Sequence, residues 1–216
     1  MSDSFDFVIV GGGTAAGILA WRLGKAGYTV CVLEAGPSDR NPFIHVPAGF
    51  SKTLFNPKIT WQLESDPNPA IANRSILYAQ GKTLGGSSAI NGMVYNRGQA
   101  SDFDSWAQAG NSGWSYSDIL PYFHKTERRI GQDVDRQYRG SQGRLQVITA
   151  QWPNKLEDAF IEAAINCGHP PNVDYNGAIQ EGVGHLFPAS AKICVTITAL
   201  GLSPRRARGS TVLTCT

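Results

Sequence analysis

An α/β fold built on a parallel sheet is what this sequence predicts, and three observations predict it. A short apolar run, Phe5 to Val10, ends at Gly11-Gly12-Gly13. A segment rich in Ala, Leu and Ile, Thr14 to Ala26, follows, with Gly27 placed as a helix stop. A second apolar run, Tyr28 to Leu33, comes directly after it. Strand, helix, strand in that order calls for a right-handed crossover and leaves the two strands parallel and buried.

The later elements follow from turn and cap chemistry. From Gly36 to Pro69 the chain is rich in Pro, Asn and Asp and has little periodicity, which reads as an extended excursion. Within it, Trp61 to Glu64 and Ser75 to Tyr78 flank Asp66-Pro67-Asn68-Pro69 and suit a small hairpin. Ser101 can cap a short helix containing Phe103, Trp106 and Ala107. Ser115-x-x-Asp118 resembles a capping box for a helix through Tyr122 and Phe123 that Pro121 should kink or shorten. Asn154-x-x-Glu157 opens the clearest helix, with Leu156, Phe160, Ala164 and Cys167 on one face and Gly168 and Pro170 closing it. No internal repeat or low-complexity run is present.

Composition narrows the function classes. The 216 residues suffice for one large or two small domains, and the net charge is +2. Lys192, Arg205, Arg206 and Arg208 lie beyond the last acidic residue, Glu181; removing those four from the 19 basic residues leaves 15 against 17 acidic ones. The body is therefore slightly acidic, Arg205 to Arg208 reads as a solvated tail, and no nucleic-acid footprint exists. Cys31, Cys167, Cys194 and Cys215 are widely spaced, with no His at zinc-ligand spacing, so no metal site is expected and Cys31 and Cys167 read as small buried residues. The acidic N-terminal stretch lacks the positive region of a signal peptide, and no apolar run reaches the roughly twenty residues that span a bilayer. A reduced, cytoplasmic protein is the expectation.

Gly11-x-Gly13-x-x-Ala16 has the spacing of a dinucleotide-binding turn of Rossmann type. Gly11 permits the turn out of the strand, Gly13 lets backbone approach a pyrophosphate, and Ala16 allows close helix-to-strand packing. The N–H groups that open the helix, around Thr14 and Ala15, supply the anion site. Glu34 closes the second strand 23 residues after Gly11, where with Ala35 it can meet an adenosine ribose and repel a 2′-phosphate. This pattern does not separate FAD from NAD.

A second glycine cluster, Gly81 to Asp104, separates them. Gly81-Lys82, Leu84-Gly85-Gly86-Ser87-Ser88, Ile90-Asn91, Tyr95, Gly98 and Asp104 resemble the first signature of the glucose-methanol-choline (GMC) oxidoreductases. The likeness extends from Phe5-Asp6-Phe7-Val8 to about residue 185, including Gly113-Trp114-Ser115 and Gln180-Glu181-Gly182-Val183-Gly184, and is strongest toward the choline-dehydrogenase-like branch.

The resemblance implies an FAD-binding Rossmann-type domain over residues 1–186, with a hairpin excursion at about 37–80 and the start of an α+β substrate domain. Residues 187–216 diverge from the family and read as a poorly ordered tail, although Ser210 to Thr214 resembles the next strand. Gly85-Gly86-Ser87-Ser88 would present amides and hydroxyls to the pyrophosphate from the side opposite the first turn, and Thr83, Leu84, Gly86 and Ser87 count among the cofactor-binding residues. Asn91, Gly92, Met93 and Val94 would pass along the flavin ring. Some members carry a His before that Asn as the covalent FAD link; Ile90 stands there, so non-covalent FAD is expected.

The implied reaction is oxidation of a small alcohol by hydride transfer to flavin, with an unidentified electron acceptor. A flavin-containing lyase, or a fragment that binds flavin without turnover, are the alternatives. The family's catalytic His region lies far beyond residue 216 in a longer chain, so no catalytic residue is assigned in this one. His45, His124, His169 and His185 lie in no catalytic motif, Trp61, Trp106 and Trp114 read as core, and Asp102 and Asp104 read as first-turn helix charges.

Overall fold

The computed structural model describes residues 4–131, 134–149 and 154–188, together with the backbone of strands 203–207 and 210–215. The chain divides into two compact units. One comprises residues up to Met93 with the two C-terminal strands, the other residues from Val94 to Ala191. This division falls inside the 1–186 region that the sequence suggests as one.

In the first unit β1 (Phe7–Val10) leads into α1 (Thr14–Lys25) and β2 (Val30–Glu34). The two strands pair in parallel from Phe7 opposite Val30 to Val10 opposite Leu33. Small residues on one face of α1, Ala16, Gly17 and Ala20, are buried, and Ala16 and Ala20 pack with Val30, Val32 and Leu84. Gly27 (φ +92°) ends the helix, with the Tyr28 N–H returning to Leu23 O at 3.1 Å. β2 is buried, but β1 is not: Val10 is 85 % exposed.

The excursion holds two short helices, α2 (Pro42–His45) and α3 (Phe50–Thr53), then β3 (Thr60–Glu64) and β4 (Leu77–Gly81). β3 and β4 form the expected antiparallel hairpin, with the second strand displaced toward Gly81, which pairs with Thr60. After β4 comes α4 (Ser87–Ile90), whose Ala89 and Ile90 pack with Ile44 and Ile59.

The second unit begins with α5 (Ala100–Gln108) and α6 (Tyr116–Thr126). Gln99, not Ser101, precedes α5, because Asp102 reaches back to accept the Gln99 N–H at 2.8 Å. Ser115 and Asp118 form the expected capping box of α6, which runs on through Pro121. Proline there removes a single amide from the ladder, and the helix tolerates it. Asp102 is a first-turn charge as expected, but Asp104 lies beyond the first turn of α5 and instead accepts the Tyr116 N–H at 2.9 Å, joining α5 to α6. Next come β5 (Glu127–Arg129) and β6 (Leu145–Val147), a parallel pair, and α7 (Lys155–Asn166), whose Leu156 N–H is capped by Asn154 at 3.1 Å.

Four residues expected in the core are exposed. Trp61, Trp106 and Trp114 are each more than two-fifths exposed, and Cys167 is exposed although Cys31 is buried. Trp106 instead stacks edge-on with Phe103 and Trp114.

The C-terminal strands β7 (Ser203–Ala207) and β8 (Ser210–Cys215) return to the first unit, giving the order β1-β2-β8-β7. β8 pairs antiparallel with both β2 and β7, so the sheet is mixed and only β1 and β2 are parallel. Two residues separate β7 from β8, and so short a link can join strands only in antiparallel fashion. Arg205 and Arg206 accordingly lie in a strand, and Ser210 to Thr214 forms the strand its sequence suggests. The remainder of the expected tail beyond Pro188 lies outside the described residues.

Candidate cofactor site

The first glycine turn sits between β1 and α1. Gly11 leaves the strand at φ +91°, its N–H donating to Leu33 O at 2.7 Å. Gly13 precedes α1 in extended conformation; α1 has no side-chain cap and no acid in its first turn. Its leading N–H groups, around Thr14 and Ala15, are therefore oriented for an anion. A methyl group added at Gly11 would meet nothing within 4 Å, and one at Gly13 only Gly86 Cα at 4.0 Å. Open space thus flanks the turn where a ligand would need it.

Glu34, at the end of β2, is buried directly beneath this turn. Its Oε2 accepts the Gly12 N–H at 2.6 Å and its Oε1 the Gly36 N–H at 2.8 Å. Ala35, between them, is exposed.

The second glycine turn packs on the first. Gly85 N–H donates to Gly12 O at 2.7 Å, and the Thr14 and Ser88 hydroxyls hydrogen-bond to one another. Gly86 (φ +55°) lies so close to Gly13 that an added methyl would stand 2.9 Å from its Cα. The two turns therefore pack backbone to backbone into one continuous wall. Thr83 and Leu84 are buried and face inward, bonded to Pro37 O through the Thr83 hydroxyl (2.9 Å) and the Leu84 N–H (3.1 Å). Ser87 is exposed, its hydroxyl donating to Gln80 Oε1 at 3.0 Å and accepting the Gly81 N–H at 3.1 Å.

Beyond α4, Asn91 and Gly92 are exposed, and Asn91 Oδ1 accepts the Met93 N–H at 3.0 Å. That turn holds Met93 at φ 64°, a left-handed conformation unusual outside glycine. The structure thus brings Gly11, Gly13, Thr14 and Glu34 together with Thr83, Leu84, Gly86 and Ser87. Val94 belongs to the second unit. Spacing alone misses Gly12, Gly36 and the Pro37 carbonyl; the Glu34-Ala35-Gly36 sequence was the one available signal, since a side chain can reach an amide two residues ahead.

The family model described as GMC oxidoreductase matches residues 5–216. The chain belongs to the GMC oxidoreductase family. An oxygen-dependent choline dehydrogenase of Rhizobium etli is 46% identical over 180 residues, covering 83% of this chain and 32% of that protein. Pyridoxine 4-oxidase from Mesorbium loti superposes with a TM-score of 0.77 at 32% identity, covering 86% of this chain and 36% of that one. An FAD-dependent oxidoreductase from Chaetomium thermophilum gives 0.74 at 33% identity, covering 86% and 33%. The chain therefore spans about a third of the length of the relatives it matches.

GMC oxidoreductases are FAD-dependent, and the first unit fits that group. It offers an open glycine rim, uncapped helix amides for a diphosphate, and a buried carboxylate with lone pairs left for ribose hydroxyls. The second unit of this GMC chain holds a cleft of about 700 Å³. Arg97 lines it, but its guanidinium is already committed to Glu127, Tyr138 O (2.6 Å) and the Tyr95 hydroxyl (3.4 Å), leaving little to attract an anion. Among the described residues no group of His, Cys, Asp and Glu could hold a metal ion. No described helix is long and apolar enough to cross a membrane.

Proposed function

We propose that this chain is the FAD-holding part of an oxidoreductase that acts on the CH–OH group of a small alcohol, with the flavin bound non-covalently. The observation that carries the reading is the preassembled wall of two glycine turns over the buried Glu34 carboxylate. Amides of the α1 first turn offset the diphosphate charge, and the Gly11 and Gly13 backbone lets it approach. Glu34 accepts ribose hydroxyls and disfavours a 2′-phosphate by like-charge repulsion. Asn91 to Val94 supply the segment that runs beside the ring.

FAD, when bound, supplies the hydride acceptor. Ile90 precedes Asn91 and is 2 % exposed, packed with Ile44 and Ile59, so an inert apolar side chain occupies the position at which relatives with covalent flavin carry His. No residue here is assigned as the base that removes the hydroxyl proton. Both proteins named above as a dehydrogenase and an oxidase accord with alcohol oxidation, and a lyase reading draws nothing from them.

Titration of the purified chain with FAD should quench flavin fluorescence, whereas NADP should not compete. Acid precipitation should leave the yellow colour in the supernatant. A chain indifferent to FAD would overturn the cofactor reading, and a yellow pellet the non-covalent one. The alcohol reading is tested by a chimera in which residues 5–184 replace the matching part of the Rhizobium etli relative. Anaerobic choline should bleach its flavin, and a flavin-loaded chimera that no alcohol bleaches would sink that reading.

A further inference from the structure

We infer that Glu34 is a positioning residue that couples the two glycine turns and sets the shape of the cradle before any cofactor arrives. The role usually expected of such a carboxylate is to receive ribose hydroxyls, and nothing in that role requires contact with protein. Here both of its oxygens are already engaged. The residue is 6 % exposed, with Oε2 on the Gly12 N–H at 2.6 Å and Oε1 on the Gly36 N–H at 2.8 Å. Bonds from amides to an ionised acceptor are short and about twice as strong as neutral ones.

From each amide the connection runs on to the second turn. Gly12 is held at its N–H by Glu34 and at its carbonyl by the Gly85 N–H at 2.7 Å, so one residue fixes both turns at once. Its neighbours are close on both sides: a methyl group at Gly12 would stand 3.1 Å from Glu34 Oε2 and 3.2 Å from Leu84 Cδ1. Gly36 leads into Pro37, whose carbonyl takes the Leu84 N–H and the Thr83 hydroxyl. Two routes therefore leave the carboxylate, through Gly12 and through Gly36-Pro37, and they meet again at residues 83–85. The carboxylate has about four acceptor sites and spends one on each amide. One side chain can thus hold the wall and still receive a vicinal diol.

A glutamine at this position would present an amide NH₂ to one of two N–H donors, replacing an attraction by a donor–donor conflict. An aspartate would keep the charge and could still reach Gly36, two residues ahead, in the manner of an Asx turn, but would fall short of Gly12. The functional consequence rests on the dinucleotide reading above; the first measurement does not.

Amide hydrogen exchange on the cofactor-free chain separates the cases. In Glu34→Gln the Gly12, Gly36 and Gly85 amides should exchange about tenfold faster or more, in line with loss of a charge-assisted bond. In Glu34→Asp only Gly12 and Gly85 should accelerate, while amides of the β3–β4 hairpin keep wild-type rates in both variants. If Glu34→Gln does not fold, Glu34→Asp decides the matter alone. Wild-type protection of Gly12 and Gly85 in Glu34→Asp would overturn the inference, and so would hairpin amides that accelerate alongside them in that variant. FMN, which lacks the adenosine ribose, provides the second readout. A positioning role weakens both FAD and FMN binding in Glu34→Asp, whereas FMN affinity unchanged from wild type would reduce Glu34 to a ribose acceptor. Failure of the wild-type chain to bind FAD would remove the dinucleotide reading and leave the exchange result intact.

Discussion

Gly86 combines two constraints that act through different physics. Its φ of +55° is strained for any residue with a Cβ, and that Cβ would stand 2.9 Å from Gly13 Cα, where only backbone is available to yield. Gly86→Ala should therefore cost about 1–3 kcal/mol from the backbone conformation alone, and more as the two turns are forced apart. Thermal unfolding of the cofactor-free chain measures this. Gly92 makes the contrast: an added methyl meets nothing within 4 Å and φ is ordinary, so Gly92→Ala should change stability by less than about 0.5 kcal/mol. If the Asn91 to Val94 segment runs beside the flavin, the same substitution weakens FAD binding, which a fluorescence titration reads. Both glycines were legible as members of a motif. What the motif could not show is that Gly86 is required by Gly13, 73 positions earlier, because spacing within one turn carries no information about the other.

Elements were legible where their ends are written in local chemistry. Asn154 and the Ser115–Asp118 pair cap helices as their sequence suggests, since the bonds involved span two or three residues. Ser115→Ala should accordingly destabilise α6 by about 1 kcal/mol in a thermal melt. Pairing between strands was less legible. The mixed sheet depends on β8 lying beside β2, a choice made across more than 170 residues of chain and not by either strand's composition. The start of β1 carries a tie of its own. Asp6 accepts the Thr29 N–H at 2.8 Å and the Thr29 hydroxyl at 2.7 Å, and those bonds lower its carboxyl pKa below the ordinary 3.8. A depressed acid stabilises the fold above its unfolded pKa and loses that contribution as pH falls through the folded value. Between neutral pH and about pH 4 the tie should hold, and below the ordinary carboxylate range it should release. Wild type and Asp6→Asn should therefore differ in melting temperature at neutral pH and converge at strongly acidic pH; a constant difference across that range would refute the tie.

At the scale of the molecule the two units keep their buried polar groups differently, and the difference sets what each tolerates. The first holds one carboxylate on backbone amides, whereas the second holds a string of opposite charges: Arg97 and Arg139 on Glu127, and Arg139 on Asp174 at 2.5 Å. Glu127 is 0 % exposed and Arg139 1 % exposed. Nothing in the sequence announced this cluster, because positions 97, 127, 139 and 174 share no motif and meet only through the fold. Its energetics are asymmetric. A buried ion pair adds little over a well-packed apolar pair, but removing one member strands the other in a medium that solvates it poorly. Glu127→Gln leaves Arg97 and Arg139 facing each other across a neutral amide, with Asp174 as the remaining counter-charge for Arg139 alone. The substitution should cost about 3–5 kcal/mol, and hydrogen exchange should locate the loss in the second unit. Because Arg97 is also held by Asn176 Oδ1 at its own N–H (2.7 Å) and by Gln180 at its carbonyl (2.7 Å), its backbone should stay in place while its side chain is released. Faster exchange confined to the β5–β6 pair and the Arg139 segment is therefore expected, and stability unchanged in Glu127→Gln would show that the charges are solvated through the cleft rather than by one another.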